Sequence, residues 1–551
     1  MFRTLLLLAS LAANVFPLPG QTTGATTGQW PSYGGTHSAL RFSALDQINA
    51  SNVDRLTPVW VFQTGDHENG LQATPIVVDG VLYLSTSSNW VLALDAASGK
   101  LLWEYRFTLP TGAPVYGKQN RGVAVGHGLV FMGTADNHVV ALEQKTGKEV
   151  WRVNVQDSKQ CGCNITGAPL LVKDKLVVGG TGGDSAHRGY ITAFDARTGR
   201  LAWRFHVIPG PGEKGNETWP GESWRFGGGA PWLTGSYDPQ LNLIYWGTGN
   251  ASSDLYAGSR KGDNLYTASI LALDADTGKL RWYYQEVPGD VWDYDSAYET
   301  ILADLPIKGR TRKVLLHPTK TGYTWVLDRA TGEFLAAWKF AKHVNWISGI
   351  TESGKLVGRR EPELGKATFI CPGAAGAKSW NHSAFSPLSG LLFIPVFELC
   401  NDMFARVEEA QEGKVYMGGN MKMKMPPGEK VEAYLGAYDA VTGERKWAAK
   451  AQTWLLASIL ATAGNLVFTG DPEGNFFALD AGTGNKLWSF STGGGHRGSS
   501  ITYAVKGRQY VATPTGWGSI VGNFHAAVWP DAPAPRAGSA LFVFALPEAR
   551  R

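Results

Sequence analysis

The sequence predicts an all-β chain folded as an eight-bladed β-propeller. Three observations predict it: a turn-and-tryptophan unit recurs, a strand pair precedes each copy, and the two chain ends offer complementary strands. The unit first reads Val91-Leu92-Ala93-Leu94-Asp95, then Ser98-Gly99, then Trp103. It returns at Glu143, Thr146-Gly147 and Trp151; at Asp195, Thr198-Gly199 and Trp203; and at Asp274, Thr277-Gly278 and Trp282. Asp439, Thr442-Gly443 and Trp447 form another copy, as do Asp480, Thr483-Gly484 and Trp488. A seventh, Asp328 with Thr331-Gly332 and Trp338, carries two extra residues before its tryptophan.

Each element of the unit has a physical reason. An alternating apolar run makes a strand, the acidic side chain accepts turn amide hydrogens, and the glycine takes the positive φ that the turn needs. A second strand ending in tryptophan completes a hairpin. A tryptophan at one fixed place per hairpin reads as packing between adjacent sheets. Strand pairs such as residues 73–78 with 80–85, and 168–172 with 175–179, precede the units, giving four short strands per blade. The strand around residues 56–62 lacks upstream partners, and residues 540–546 supply them from the other end. Seven full units and this shared blade give eight.

Residues 1–20 read as an export signal: Arg3 gives a short positive region and residues 5–13 an apolar one too short to span a bilayer comfortably. Residues 21–551 then form one propeller domain, with insertions near 206–265 and 340–430 shaping its functional mouth. No transmembrane anchor is expected. Lys+Arg at 51 nearly cancel Asp+Glu at 47, which argues against a nucleic-acid partner. The four cysteines fit an oxidising compartment, and none stands in a haem-attaching Cys-x-x-Cys-His sequence. Cys161 and Cys163 are open to three readings: a small-ring disulfide, a metal site or two thiols. Four methionines between Met417 and Met425 suit either soft copper(I) or a surface or substrate loop.

Trp292-Asp293-Tyr294-Asp295 is the sharpest chemical feature. Residues two apart in extended backbone project the same way, so both carboxylates can flank one hard cation. A solvated turn is the alternative.

Several ordered segments now carry a resemblance. They are Trp30-Pro31-Ser32-Tyr33-Gly34-Gly35, Asn120-Arg121-Gly122, Gly227-Gly228-Gly229 through Trp232, Asp238-Pro239, Trp246-Gly247-Thr248-Gly249-Asn250, Gly262-Asp263-Asn264, Tyr510-Val511-Ala512 and Gly516-Trp517-Gly518. With the tryptophan repeats, they make the chain resemble the pyrroloquinoline-quinone (PQQ)-dependent alcohol dehydrogenases, across nearly all of its mature length. The resemblance implies a quinone disc in the central channel, stacked on Trp232 and contacted by Gln72, Arg121, Thr166, Lys320 and Trp517. Arg121 alternatively serves an inter-blade salt bridge, and Thr166 a buried turn. It further implies Asp293 as the catalytic base and Asp184, Asn250, Asp293 and Asp295 as ligands of a lanthanide(III) or calcium ion, Asp295 being the extra ligand of the lanthanide-using branch. A Cys371–Cys400 disulfide is implied as well.

The implied activity is oxidation of a small alcohol to an aldehyde in the periplasm, with electrons passing to a c-type cytochrome. A sugar or polymeric-alcohol dehydrogenase, and a non-catalytic assembly propeller, are the rival readings. Monomer and homodimer are both compatible with the sequence. The chain departs from the family in places: Val115-Tyr116 stands where an adjacent cysteine pair is usual, Gln72 replaces an acid, Ser379 replaces an asparagine, and Asp184 is one methylene shorter than the usual glutamate.

Overall fold

The repeat turns form as their residues require. Asp95 Oδ1 accepts hydrogen bonds from Ser98 N at 2.8 Å and Ser98 Oγ at 2.7 Å, and Asp195, Asp274 and Asp480 do the same with their threonines. The glycine that follows has φ of 73° at Gly99 and 76° at Gly484. It answers a second demand too. A Cβ at Gly99 would stand 2.5 Å from Trp60 Cε3, and one at Gly278 would stand 2.5 Å from the Trp203 ring. Each turn glycine is therefore the floor on which the preceding blade's tryptophan rests, where no side chain fits. The indole N–H completes the joint: Trp103 Nε1 donates to Gln144 O at 3.0 Å and Trp447 Nε1 to Ala481 O at 3.0 Å. The structural reading of these tryptophans holds.

In the computed structural model, which describes residues 28–113, 117–518 and 521–548, these units assemble into eight blades, seven of them four-stranded and antiparallel and one, Leu460–Thr462 to Lys486–Ser491, carrying the short strand Phe42–Ser43 in parallel on its edge. The export segment and the Val115-Tyr116 pair lie outside the described residues. The first complete blade runs from the buried inner strand Ile76–Val78 through Val81–Ser85 and Trp90–Asp95 to the outer strand Leu101–Arg106. The chain ends close the ring. Thr57–Gln63 is the outer strand of a blade whose other members are Ala540–Ala545, Arg508–Thr515 and Ile501–Val505, with Trp60 opposite Val543.

Residues 206–265 carry the turns Asn216–Thr218 and Ser223–Phe226 and bury Trp219, whose Nε1 donates to Leu265 O at 2.5 Å. Residues 340–430 build a three-stranded sheet of Ala367–Ile370, Cys400–Ala405 and Gly419–Lys424. Cys371 and Cys400 are disulfide-bonded at its root, and Cys161 with Cys163 form a second bond, which settles their three readings. Among the described residues no helix is long and apolar enough to cross a membrane.

Candidate active site

Segments leading into the innermost strands line the channel, and neighbouring blades tie them together: Thr74 N donates to Arg121 O at 3.0 Å and Arg121 N to Thr166 O at 2.9 Å. Above this ring lies a cavity of about 430 Å³. Gln72, Arg121, Thr166, Asp184, Trp232, Asp293, Asp295 and Lys320 all reach its wall. Two residues singled out in the sequence do not. Asn250 is fully buried, and Trp517 lies beside Arg497, its ring centre 5.7 Å from the guanidinium carbon.

The 293–295 segment alternates as the spacing suggests. Trp292 and Tyr294 are fully buried, while the two aspartates between and after them face the cavity. Asp290 anchors the turn by accepting from Trp292 N at 3.2 Å and Tyr294 N at 2.9 Å. Asp293 has φ of 60°, a left-handed conformation that a non-glycine residue adopts at a cost. Lys320 Nζ, which follows the strand Arg310–Pro318, lies 3.1 Å from Asp293 Oδ1 and 2.9 Å from Asp295 Oδ2. Burial raises the Asp293 carboxyl well above the usual carboxylate range, with Lys320 pulling it down and Asp295 and Asp184 pushing it up. Burial opposes the charge on Lys320, but Asp293 and Asp295 overcome it and hold its ammonium well above its ordinary value.

Asp295 Oδ1 accepts from Trp232 Nε1 at 3.2 Å and from Asn250 N at 3.3 Å. Gly249 permits this approach, since a Cβ there would stand 2.8 Å from Asp295 Oδ1. Asn250 Nδ2 donates to Asp254 Oδ1 at 2.8 Å, which leaves Asn250 Oδ1 buried, without a partner and facing Gly183 beside Asp184. Asp254 Oδ2 is also unpartnered, and burial together with Asp184, Asp293 and Asp295 raises this carboxyl well above its ordinary value. Such buried, unspent oxygens suit a hard cation. Among the described residues no three acidic, histidine or cysteine side chains are gathered closely enough to hold a metal ion by themselves, and Lys320 bridges the carboxylates of Asp293 and Asp295.

The other wall is aromatic and basic. The Arg121 guanidinium carbon lies 4.9 Å from the Trp232 ring centre and 4.5 Å from that of Trp380. Its Nη1 donates to Thr166 Oγ1 and its Nε has no partner. Among the described residues no carboxylate pairs with it, which speaks against the salt-bridge alternative, and burial lowers its pKa to about 10. Gln72 Nε2 donates to Gly518 O at 2.8 Å. Met417, Met421 and Met423, from the 340–430 insertion, line the cavity, while Met425 is exposed.

Sequence reasoning missed Asp254 and Arg497, and it passed over Tyr298 and Gln119, which also reach the wall. Asp254 follows Asn250 by one helical turn's count in a loop, and Arg497 is a lone cation in a run of small residues. Neither pattern signals a site without the fold.

Fold and cavity together define a β-propeller with a buried, charged central site, and comparison with known proteins gives the family. Residues 30–342 and 448–511 match the model of the PQQ glucose/ethanol/alcohol dehydrogenase β-propeller domain. The chain is 39% identical over 544 residues to a quinohemoprotein alcohol dehydrogenase of Comamonas testosteroni, covering 93% of this chain and 77% of that one. It is 36% identical over 536 residues to a lanthanide-dependent methanol dehydrogenase of Methylacidiphilum fumariolicum strain SolV, covering 90% and 86%. The structure of a europium-containing methanol dehydrogenase superposes with a TM-score of 0.88 at 35% identity, covering 94% of this chain and 98% of that one. The chain belongs to the PQQ-dependent alcohol dehydrogenase family.

Proposed function

We propose that this protein is a periplasmic quinoprotein that oxidises a small alcohol to its aldehyde, with PQQ in the central cavity and a lanthanide(III) or calcium ion beside it. The observation that carries this reading is the convergence on one cavity of the Lys320-bridged carboxylates Asp293 and Asp295, the Trp232 indole face and the carboxylate-free Arg121. An assembly scaffold has no use for that convergence. The two disulfides fit the oxidising compartment.

Trp232 offers a face for a flat ring, and Arg121, Thr166, Gln72 and Lys320 offer polar contacts for its oxygens. Asp184, Asn250, Asp293 and Asp295 would hold the cation, with Asp254 fastening the Asn250 amide so that its oxygen faces inward. Bound there, the quinone supplies a two-electron acceptor and the cation a Lewis acid. Asp293 takes the hydroxyl proton of the alcohol at its carboxylate. Lys320 keeps the carboxylate aimed by gripping the backbone oxygen of the same residue at 2.7 Å. The methionine wall repels water and leaves sugar hydroxyls unpaired, which favours small alcohols. The carboxylate of Asp295 favours a trivalent ion over calcium. A c-type cytochrome would take the electrons onward.

Turnover with primary alcohols, sugars and poly-alcohols, using an artificial electron acceptor, tests this reading. Primary alcohols should be the preferred substrates. Turnover of sugars alone would overturn it.

A further inference from the structure

Arg497 lies in the segment leading into Ile501–Val505, the innermost strand of the closing blade, as Arg121 leads into the inner strand Ala124–Gly126. Its guanidinium carbon stands 5.5 Å from the Trp380 ring centre and 5.7 Å from that of Trp517, and the side chain reaches the cavity wall. The residue is 1% exposed, yet among the described residues its Nε and Nη1 have no hydrogen-bond partner.

The other fully buried arginines are treated differently. Arg41 donates to the carbonyl oxygens of Tyr33, Ile459 and Ser500. Arg260 donates to those of Ser253 and Asp290 and to Asn264 Oδ1. Where this fold buries an arginine for structure, it spends the donors on the backbone. At Arg497 it does not. The charge that acts on Arg497 is the like charge of Arg121, and burial with that repulsion lowers it to about 9. Two indole faces offset part of the lost hydration, but they accept no planar N–H bonds. A buried guanidinium without counter-charge is strongly disfavoured, so the arrangement demands an anion from outside the chain.

We propose that Arg497 and Arg121 form a two-guanidinium clamp for carboxylate groups of the ring ligand, Arg497 being a cofactor-binding residue in its own right. The inference rests on reading the cavity as the quinone site. It also gives the replacement of an acid by Gln72 a physical sense: an acid on this wall would compete with the ligand's carboxylates for the same two cations.

The test is equilibrium binding of PQQ and of its uncharged trimethyl ester to the cation-loaded full chain, followed by tryptophan fluorescence, in wild type, Arg497→Met and Arg497→Lys. Wild type should prefer the acid to the ester. Arg497→Met should bind PQQ about 30-fold or more weakly, bind the ester as wild type does, and melt no lower than wild type without ligand. Arg497→Lys should recover part of the affinity. Wild type that binds acid and ester alike, Arg497→Met with unchanged PQQ affinity, or ligand-free Arg497→Met that unfolds would each overturn the clamp. Wild type that binds no PQQ would remove the quinone reading itself, whereas wild-type binding with an indifferent Arg497→Met removes the clamp alone.

Discussion

Lys320 grips Asp293 twice, donating from Nζ to the backbone oxygen at 2.7 Å and to Oδ1 at 3.1 Å. One ammonium therefore fixes both a left-handed backbone and the direction of its carboxylate. Replacing Lys320 by methionine leaves two buried aspartates without their cation. Chemical denaturation of Lys320→Met without added metal should show a loss of about 3 kcal/mol, and added lanthanide should restore part of it. Unchanged stability would show that the bridge does not bind the segment together.

The closing blade predicts a second outcome. Ala540–Ala545 lies between Thr57–Gln63 and Arg508–Thr515, so ending the chain at Ser539 strands the N-terminal outer strand and opens two sheet edges. The truncated protein should lose its cooperative melting transition or aggregate. A melting curve like that of the full chain would contradict the closure.

Acid should weaken the fold between about pH 6.5 and pH 4. Burial lowers His187 and His496 from 6.5 to about 4, and both are fully buried. His496 sits between Thr492 Oγ1 at 3.0 Å and Thr513 Oγ1 at 3.3 Å, hydroxyls that satisfy a neutral ring. In this window the unfolded chain binds protons that the native state refuses, so stability falls as pH falls and levels below the folded values. Buried carboxyls such as Asp293 and Asp254, raised above their ordinary range, act in the opposite sense, so the comparison is with His496→Gln: across that range the wild-type denaturant midpoint should fall more with acid than the variant's. Identical pH dependence in the two proteins would refute this.

The ring of blades was legible because its information is local and repeated. Asp95, Gly99 and Trp103 each do a job that recurs in the next blade, and the strand at residues 540–546 declares its unpaired partner. The Asp293 and Asp295 pair was legible from its spacing, and Arg121, Trp232 and Lys320 from family likeness. Asp254 and Arg497 were not. Their roles come from what surrounds them after folding: an amide turned by a buried carboxylate, and a guanidinium left without acceptors between two indoles. Trp517 was singled out by its matching segment, and the structure sets its ring beside Arg497.

Metal preference follows from Asp295, whose Oδ2 is held by Lys320 and whose Oδ1 meets Trp232 and Asn250. Asp295→Ala removes one negative charge from the cation's surroundings, and a trivalent ion loses more from that than a divalent one. Titration of the metal-free protein should show a larger affinity loss for a light lanthanide than for calcium, with lanthanide-supported turnover falling further. Equal losses for both ions would count against the lanthanide preference.

The most direct measurement of the central claim is single-turnover alcohol oxidation by Asp293→Asn reconstituted with PQQ and metal. The substitution keeps the side chain's size and its place beside Lys320 but removes the base. The variant should still bind quinone and cation, while alcohol-dependent reduction slows by about 10²–10⁴-fold. Reduction at the wild-type rate would contradict the assignment of Asp293 as the residue that takes the alcohol's proton.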